Sequence, residues 1–148
     1  MKKFVFSNES YLRIKKDEDD TLKRELENVD KQIRVLEAAI DEIDERVLSE
    51  MESQEKESAE GITVDKLLQY QNFYSYMREK RKELQKKREV LEKERAGIRE
   101  QLIKVHNQIK VLEEMRETQY AEYLKETAKE EAKEMDTVLS FKIHEGAG

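Results

Sequence analysis

Apolar residues recur along the N-terminal part of the chain at alternating steps of three and four residues. The series is Leu22, Leu26, Val29, Ile33, Leu36, Ile40, Ile43 and Val47. Such steps place the apolar side chains on one narrow stripe of an α-helix and are typical of coiled coils. A second series with a constant seven-residue spacing comprises Tyr70, Met77, Leu84, Leu91, Ile98, Val105 and Leu112. The pattern predicts two helices that pair through heptad seams.

A polar and acidic segment, residues 51–63, separates the two apolar series and closes on Gly61-Ile62-Thr63. Gly61 suits the left-handed backbone that ends a helix, and Thr63 suits the N-cap of the next helix. We expect helix one near residues 10–57, a turn near 58–63, helix two near 64–140, and then a short C-terminal tail. The predicted fold is all-α, an elongated two-helix antiparallel coiled-coil hairpin that forms a single domain over residues 1–148.

The other set of seam positions on helix two lies between the members of this second series and has three consecutive arginines, also seven residues apart. These arginines bear on how the helices align. In an antiparallel pair of helices, the numbers of two facing residues always add up to the same value. A value of 124 makes residue 62 the midpoint of every facing pair, and this residue lies within the predicted turn. This register places Ile33 beside Leu91 and brings the three arginines close to three carboxylates at the same spacing. We predict that these six residues set the register: Arg81, Arg88, Arg95, Asp30, Glu37 and Asp44.

The charge distribution favours pairing of the two helices within one chain. Residues 17–60 contain 17 acidic and six basic residues, whereas residues 78–99 contain ten basic and five acidic ones. Oppositely charged arms attract each other, and like arms repel. The whole chain has a formal net charge of −6, which gives no electrostatic reason to bind nucleic acid.

No residue pattern in the chain predicts catalysis, a cofactor or a metal site. Phosphate-binding loops and nucleophile elbows are absent from the sequence, and cysteine is missing altogether. The acidic run Asp17–Asp20 lacks the turn of a cation site, so we expect a solvated helix start. His106 and His144 are isolated, which favours surface histidines. No apolar run suits a signal peptide or a membrane span, so we expect an intracellular protein without direct membrane insertion.

The segment that follows the turn is rich in aromatic residues. A two-helix seam covers Tyr70 and Met77 but leaves Phe73 and Tyr76 outside, and exposed aromatic side chains often anchor protein interfaces. One hypothesis is a partner-binding surface, and the alternative is local packing against residues 51–62. The residues proposed for partner binding are Tyr70, Gln71, Phe73, Tyr76 and Met77.

Several segments, taken in order along the chain, resemble the FliJ family of the bacterial flagellar export apparatus. The opening Phe4-Val5-Phe6 with Tyr11–Glu18 is similar to that family's start. The turn Gly61-Ile62-Thr63 followed by Tyr70-Gln71-Asn72-Phe73 resembles its G-[IM]-[TS] and Y-Q-Q-F stretch, with Asn72 where the family often has Gln. Met115-Arg116-Glu117 and Lys133-Glu134-Met135-Asp136 resemble its C-terminal motifs.

The resemblance implies a non-enzymatic, cytoplasmic coiled-coil component of flagellar protein export. Its implied partners are the export ATPase ring, the membrane export-gate protein and the export chaperones, and through them it would associate peripherally with the cell membrane. The alternative is a generic coiled-coil spacer or a prefoldin-like holdase chaperone. Prefoldin-like chains require β-hairpins, and residues 51–63 show no alternating strand pattern.

Overall fold

A computed structural model describes residues 2–147 of the chain. Two helices, α1 (Glu9–Glu60) and α2 (Val64–Ala147), account for nearly all of these residues, and no strand occurs among them. The prediction of an all-α, two-helix antiparallel hairpin is confirmed. Helix is favoured throughout because the chain has no proline and is rich in Lys, Glu, Leu, Arg and Gln.

The connection between the helices has the backbone chemistry that the sequence predicts. Gly61 has φ of +104°, a left-handed conformation that residues with a Cβ atom rarely adopt. Its N–H donates to the Ser58 carbonyl at 3.4 Å, which satisfies one of the last carbonyls of α1. Thr63 caps α2, because its hydroxyl oxygen accepts a hydrogen bond from the Lys66 N–H at 3.2 Å.

Both helices extend beyond the predicted ends. The first helix continues to Glu60, where Gly61 ends it, and the second continues to Ala147, past the expected end near residue 140. Residues 141–147 were predicted as a short tail, but they contain no proline, and a single glycine at 146 is not enough to end the helix.

Internal contacts divide the chain into two compact units, and both helices pass through both of them. The hairpin unit is Thr21–Leu102 and contains the turn. Its core consists of seam side chains that are at most 7% exposed: Leu22, Val29, Ile33, Ile40, Ile43, Tyr70, Met77 and Ile98. These belong to the two apolar series that the sequence shows, so the heptad pattern identifies the buried stripe of each helix.

The terminal unit contains the residues up to Asp20 and those from Ile103 onward. Here the start of α1 and the segment before it pack on α2, and the core is Phe6, Leu12, Val105, Ile109 and Leu112. The Phe6 carbonyl accepts a hydrogen bond from Glu9 N–H at 3.2 Å, which fixes the entry into α1.

One acidic residue of the terminal unit departs from the sequence prediction. We expected the run Asp17–Asp20 to be solvated throughout, but Asp19 is buried, with 9% of its surface exposed. Asp19 lies seven residues after Leu12 and therefore occupies a position on the same buried stripe of α1. Asp19 interacts with other residues there. Within residues 2–147, no group of three His, Asp or Glu side chains is placed to hold a metal ion.

Candidate partner-docking surface

The hairpin unit brings each of the three seam arginines against the carboxylate that the sequence predicts for it. Arg81 Nε lies 2.8 Å from Asp44 Oδ1, and its second nitrogen, Nη2, lies 3.2 Å from Oδ2. The other two pairs are Arg88 with Glu37 at 3.0 Å and Arg95 with Asp30 at 3.3 Å. The residue numbers of each pair add up to 125. In the predicted register directly facing seam residues add up to 124, so each carboxylate lies one position beyond the residue that faces its arginine, in agreement with that register.

These ion pairs lie at the border of the seam and remain in contact with water. The arginine and carboxylate side chains of the three pairs are between 28% and 50% exposed. The bidentate hydrogen bond to Asp44, together with charge attraction, raises the pKa of the Arg81 guanidinium above its usual value. Arg88 divides its contacts, because its Nε also donates to Glu92 on the same helix at 3.1 Å. Ion pairs that remain this exposed add little stability.

The aromatic surface beside the turn, which we call the aromatic shelf, consists of Tyr70, Gln71, Phe73, Tyr76 and Met77. Two of its members are anchored in the core, since Tyr70 is 6% exposed and Met77 is 3% exposed. Burial raises the pKa of the Tyr70 phenol, and a hydrogen bond with the Glu57 carboxylate raises it further. Next to the shelf, Tyr74 donates to Gln54 Oε1 at 2.6 Å and thereby ties α2 to the end of α1.

The outer members of the aromatic shelf differ in how far they are covered. Tyr76 is 61% exposed, and Gln71 is also exposed. Phe73, expected to lie uncovered, is only partly exposed, because the Arg46 guanidinium of α1 lies 5.8 Å from its ring centre. A long arginine side chain can reach past the seam and stack on the face of an aromatic ring. The heptad pattern identifies only the seam residues, so it does not predict this contact. Of the two aromatic rings expected off the seam, Tyr76 is therefore the freely accessible one.

A second aromatic cluster, in the terminal unit, escaped the sequence prediction. The Phe4 ring packs edge-on against Tyr120 at 5.1 Å and lies 5.5 Å from Tyr123, measured between ring centres. Tyr123 also donates a hydrogen bond to the Lys2 carbonyl. The available signal was the pair Tyr120 and Tyr123, three residues apart on one helical face, together with the aromatic opening of the chain. Glu113, Arg116 and Glu117 complete a cavity of about 390 Å³ here.

The chain is thus a protein built as a helical hairpin. Its sequence matches the family model described as "Flagellar FliJ protein" over residues 9–147, and the chain belongs to that family. The family consists of non-catalytic components of the flagellar protein export apparatus. No curated protein and no solved structure shows significant similarity to the chain. Within residues 2–147, neither helix is apolar enough over a sufficient length to cross a membrane.

Proposed function

We propose that this protein is a docking component of flagellar export that binds the export ATPase ring, the membrane export-gate protein and the export chaperones. It acts in the cytoplasm and is held at the membrane face through these partners. The family membership supports this proposal, and so does the sequence, which contains no motif for catalysis. The terminal unit is the side for the ATPase ring, and the turn side of the hairpin unit is the side for the gate.

The observation that carries the gate contact is the exposed Tyr76 beside anchored neighbours. Tyr70 and Met77 are buried in the seam, so the backbone that presents Tyr76 is held in place before any partner binds. A pre-ordered aromatic side chain loses little conformational entropy on binding, which is the usual property of an interface anchor. We propose that Tyr76 is the principal anchor and that Gln71 and Phe73 form the border of the contact.

The test is the affinity of purified variants for the cytoplasmic part of the export gate, measured together with melting temperature. Tyr76→Ala should weaken binding by about 2 kcal/mol or more and leave the melting temperature nearly unchanged. Val90→Ala is the matched control, because Val90 is 66% exposed on the same helix of the same unit and lies outside the shelf. Unchanged gate affinity in Tyr76→Ala would refute the assignment of the shelf.

Binding of the ATPase and of the chaperones is tested separately, by pull-down with the intact chain. We expect the chain to retain the export ATPase and export chaperones from defined, purified mixtures, and Tyr76→Ala to retain them equally well. If the wild-type chain binds none of the export components, the spacer or holdase function becomes the better explanation.

A further inference from the structure

Among the described residues 2–147, no other segment packs on the last part of α2. The segment before α1 reaches α2 as far as Tyr123, which contacts Phe4 and Lys2. Beyond this point, every side chain from Ala128 to Gly146 is exposed. The exposed residues include large apolar ones: Leu124, Met135, Val138, Leu139, Phe141 and Ile143. A single helix in water gains little stability on its own, so an apolar face of this length indicates a missing contact.

The apolar stripe of this segment, which we call the C-terminal stripe, does not continue the seam. Its members are Ala121, Leu124, Ala128, Ala132, Met135, Leu139 and Ile143. Their steps of three, four and four form an eleven-residue repeat, typical of helices that pair without a left-handed supercoil. At 3.6 residues per turn, the stripe is centred roughly 140° around α2 from the seam residues Val105, Ile109 and Leu112. The helix therefore has a second apolar face, which α1 does not cover.

We propose that the C-terminal stripe pairs antiparallel with the same stripe of a second copy of this chain. The sequence of steps reads the same in both directions from Leu124 to Ile143, so an antiparallel copy presents apolar residues at matching heights. In the central register, paired residue numbers add up to 267. Small residues then face large ones, with Ala128 opposite Leu139 and Ala132 opposite Met135, which allows close interdigitation. Shifting the register by eleven leaves apolar residues at the ends unpaired.

Charge complementarity supports this choice of occupant. Lys129 and Asp136 lie along the same edge of the C-terminal stripe, and their numbers add up to 265, close to the central register. In an antiparallel pair of identical helices, corresponding edges face each other, so Lys129 of each copy meets Asp136 of the other. The two-fold symmetry forms this contact twice. The stripe is thus matched to itself both in side-chain size and in charge.

The register is tested by disulfide formation between two single-cysteine variants of the full chain, which has no cysteine of its own. Ala128→Cys and Leu139→Cys should form a mixed disulfide under mild oxidation when combined. Each variant alone should form little, because identical positions lie eleven residues apart along the pair, roughly 16 Å. Equal crosslinking of each variant with itself and with the other would overturn the register.

Sedimentation or light scattering over a range of protein concentrations tests the association itself. Ala132→Asp should abolish it, whereas Thr137→Asp, which adds the same charge on the opposite face, should not. Lys129→Asp should weaken it roughly tenfold, and adding Asp136→Lys should restore it. A wild-type chain that stays monomeric, or a double reversal that restores nothing, would overturn the proposal. If Ala132→Asp impairs only binding to the export ATPase, the stripe belongs to that partner and the proposal is also wrong.

Discussion

We propose that the seam arginines define the alignment of the two helices at a small cost in stability. An apolar position could pair equally well after a shift of seven residues, because every heptad repeats the same surface. A shift of seven residues would keep only two of the three arginine–carboxylate pairs of the observed register. It would bring Arg95 to Lys23 in one direction and Arg81 to Met51 in the other. We therefore propose that the three pairs specify register, in addition to holding the helices together.

Replacing all three arginines by leucine should raise the melting temperature and loosen the register. The pairs are partly exposed, and replacing such ion pairs by apolar residues is often neutral or stabilising. Thermal unfolding followed by circular dichroism measures the first effect. Crosslinking between cysteines introduced at Ile33 and Leu91 measures the second and should become less efficient in the triple variant. A clear fall in melting temperature, with crosslinking unchanged, would contradict this account.

We predict that Tyr70 makes the stability of the hairpin unit depend on pH in the alkaline range. Its folded-state pKa lies above the usual value of 10.0, because burial and the nearby Glu57 carboxylate disfavour the phenolate. The unfolded chain therefore loses the phenol proton first as the pH rises. The protonated Tyr70 phenol therefore contributes to the stability of the folded state. This contribution is complete below about pH 10 and is lost as the pH rises through the raised pKa of Tyr70. Tyr74 is shifted in the same direction, mainly by burial.

Tyr70→Phe should accordingly flatten the loss of stability at high pH. The measurement is urea unfolding of the wild type and the variant between pH 8 and pH 11, since lysines titrate equally in both. We expect the difference in free energy of unfolding between the two proteins to change in favour of the variant above about pH 10. A difference that is constant across this range would contradict the prediction.

At the scale of secondary structure, two glycines illustrate opposite requirements of a helix end and a helix interior. Gly61 adopts a positive φ in the turn, whereas Gly97 lies inside α2. A Cβ atom added at either position would meet no atom within 4 Å, apart from the adjacent residues and the nearby backbone of the same helix. Substitution by alanine therefore changes only backbone preference at both sites, and the two variants form a matched pair.

Gly61→Ala should destabilise the hairpin by about 1–2 kcal/mol, because alanine resists the left-handed conformation. Gly97→Ala should stabilise it by about 1 kcal/mol, because alanine is the better residue inside a helix. Chemical denaturation of both variants gives the two values. Equal effects of the same sign would show that the turn does not impose the observed backbone conformation.

Pairing of the helices within one chain is tested by cysteines at Ile33 and Leu91. The register centred on the turn places these two residues side by side, and the observed ion pairs of the hairpin unit agree with it. We expect the double-cysteine variant to form an intramolecular disulfide in dilute solution. A variant with the second cysteine at Leu84, one heptad away, is the control and should crosslink poorly with Ile33→Cys. Crosslinks that form only between chains would contradict the hairpin pairing.

The sequence predicts the helices and their pairing better than it predicts the surfaces, and the reasons are physical. Heptad spacing repeats over many turns, so its many weak signals reinforce each other, and Gly61 and Thr63 mark the turn by backbone chemistry. A contact made by one long side chain occurs only once, so no repeated pattern in the sequence predicts it. The stacking of Arg46 on Phe73 and the packing of Phe4 on Tyr120 depend on rotamers and on a non-helical segment. The extension of α2 was missed because helix propensity alone gives no clear end point.

At the scale of the whole molecule, its surfaces fit a protein that acts by contact. The hairpin unit offers the aromatic shelf beside the turn, and the terminal unit offers a helix with an uncovered apolar stripe. The aromatic shelf lies on a helix whose other face is held in a core, whereas most of the C-terminal stripe lies beyond the last core residue of α2. The arrangement suits the proposed docking function, since helices present binding side chains in fixed positions.

We also propose that residues 1–148 behave as one coiled-coil domain, because both helices run through both units without a break. Leu12→Ala removes a core side chain of the terminal unit, and Ile40→Ala removes one of the hairpin unit. Each should lower the free energy of unfolding by about 2 kcal/mol or more. In a single cooperative domain, either variant reduces the stability of both units to the same extent. Native-state hydrogen exchange detects this as an equal loss of protection in residues 21–102 and in residues 103–123. If Ile40→Ala lowers protection in residues 21–102 alone, the two units fold independently and the chain consists of two domains.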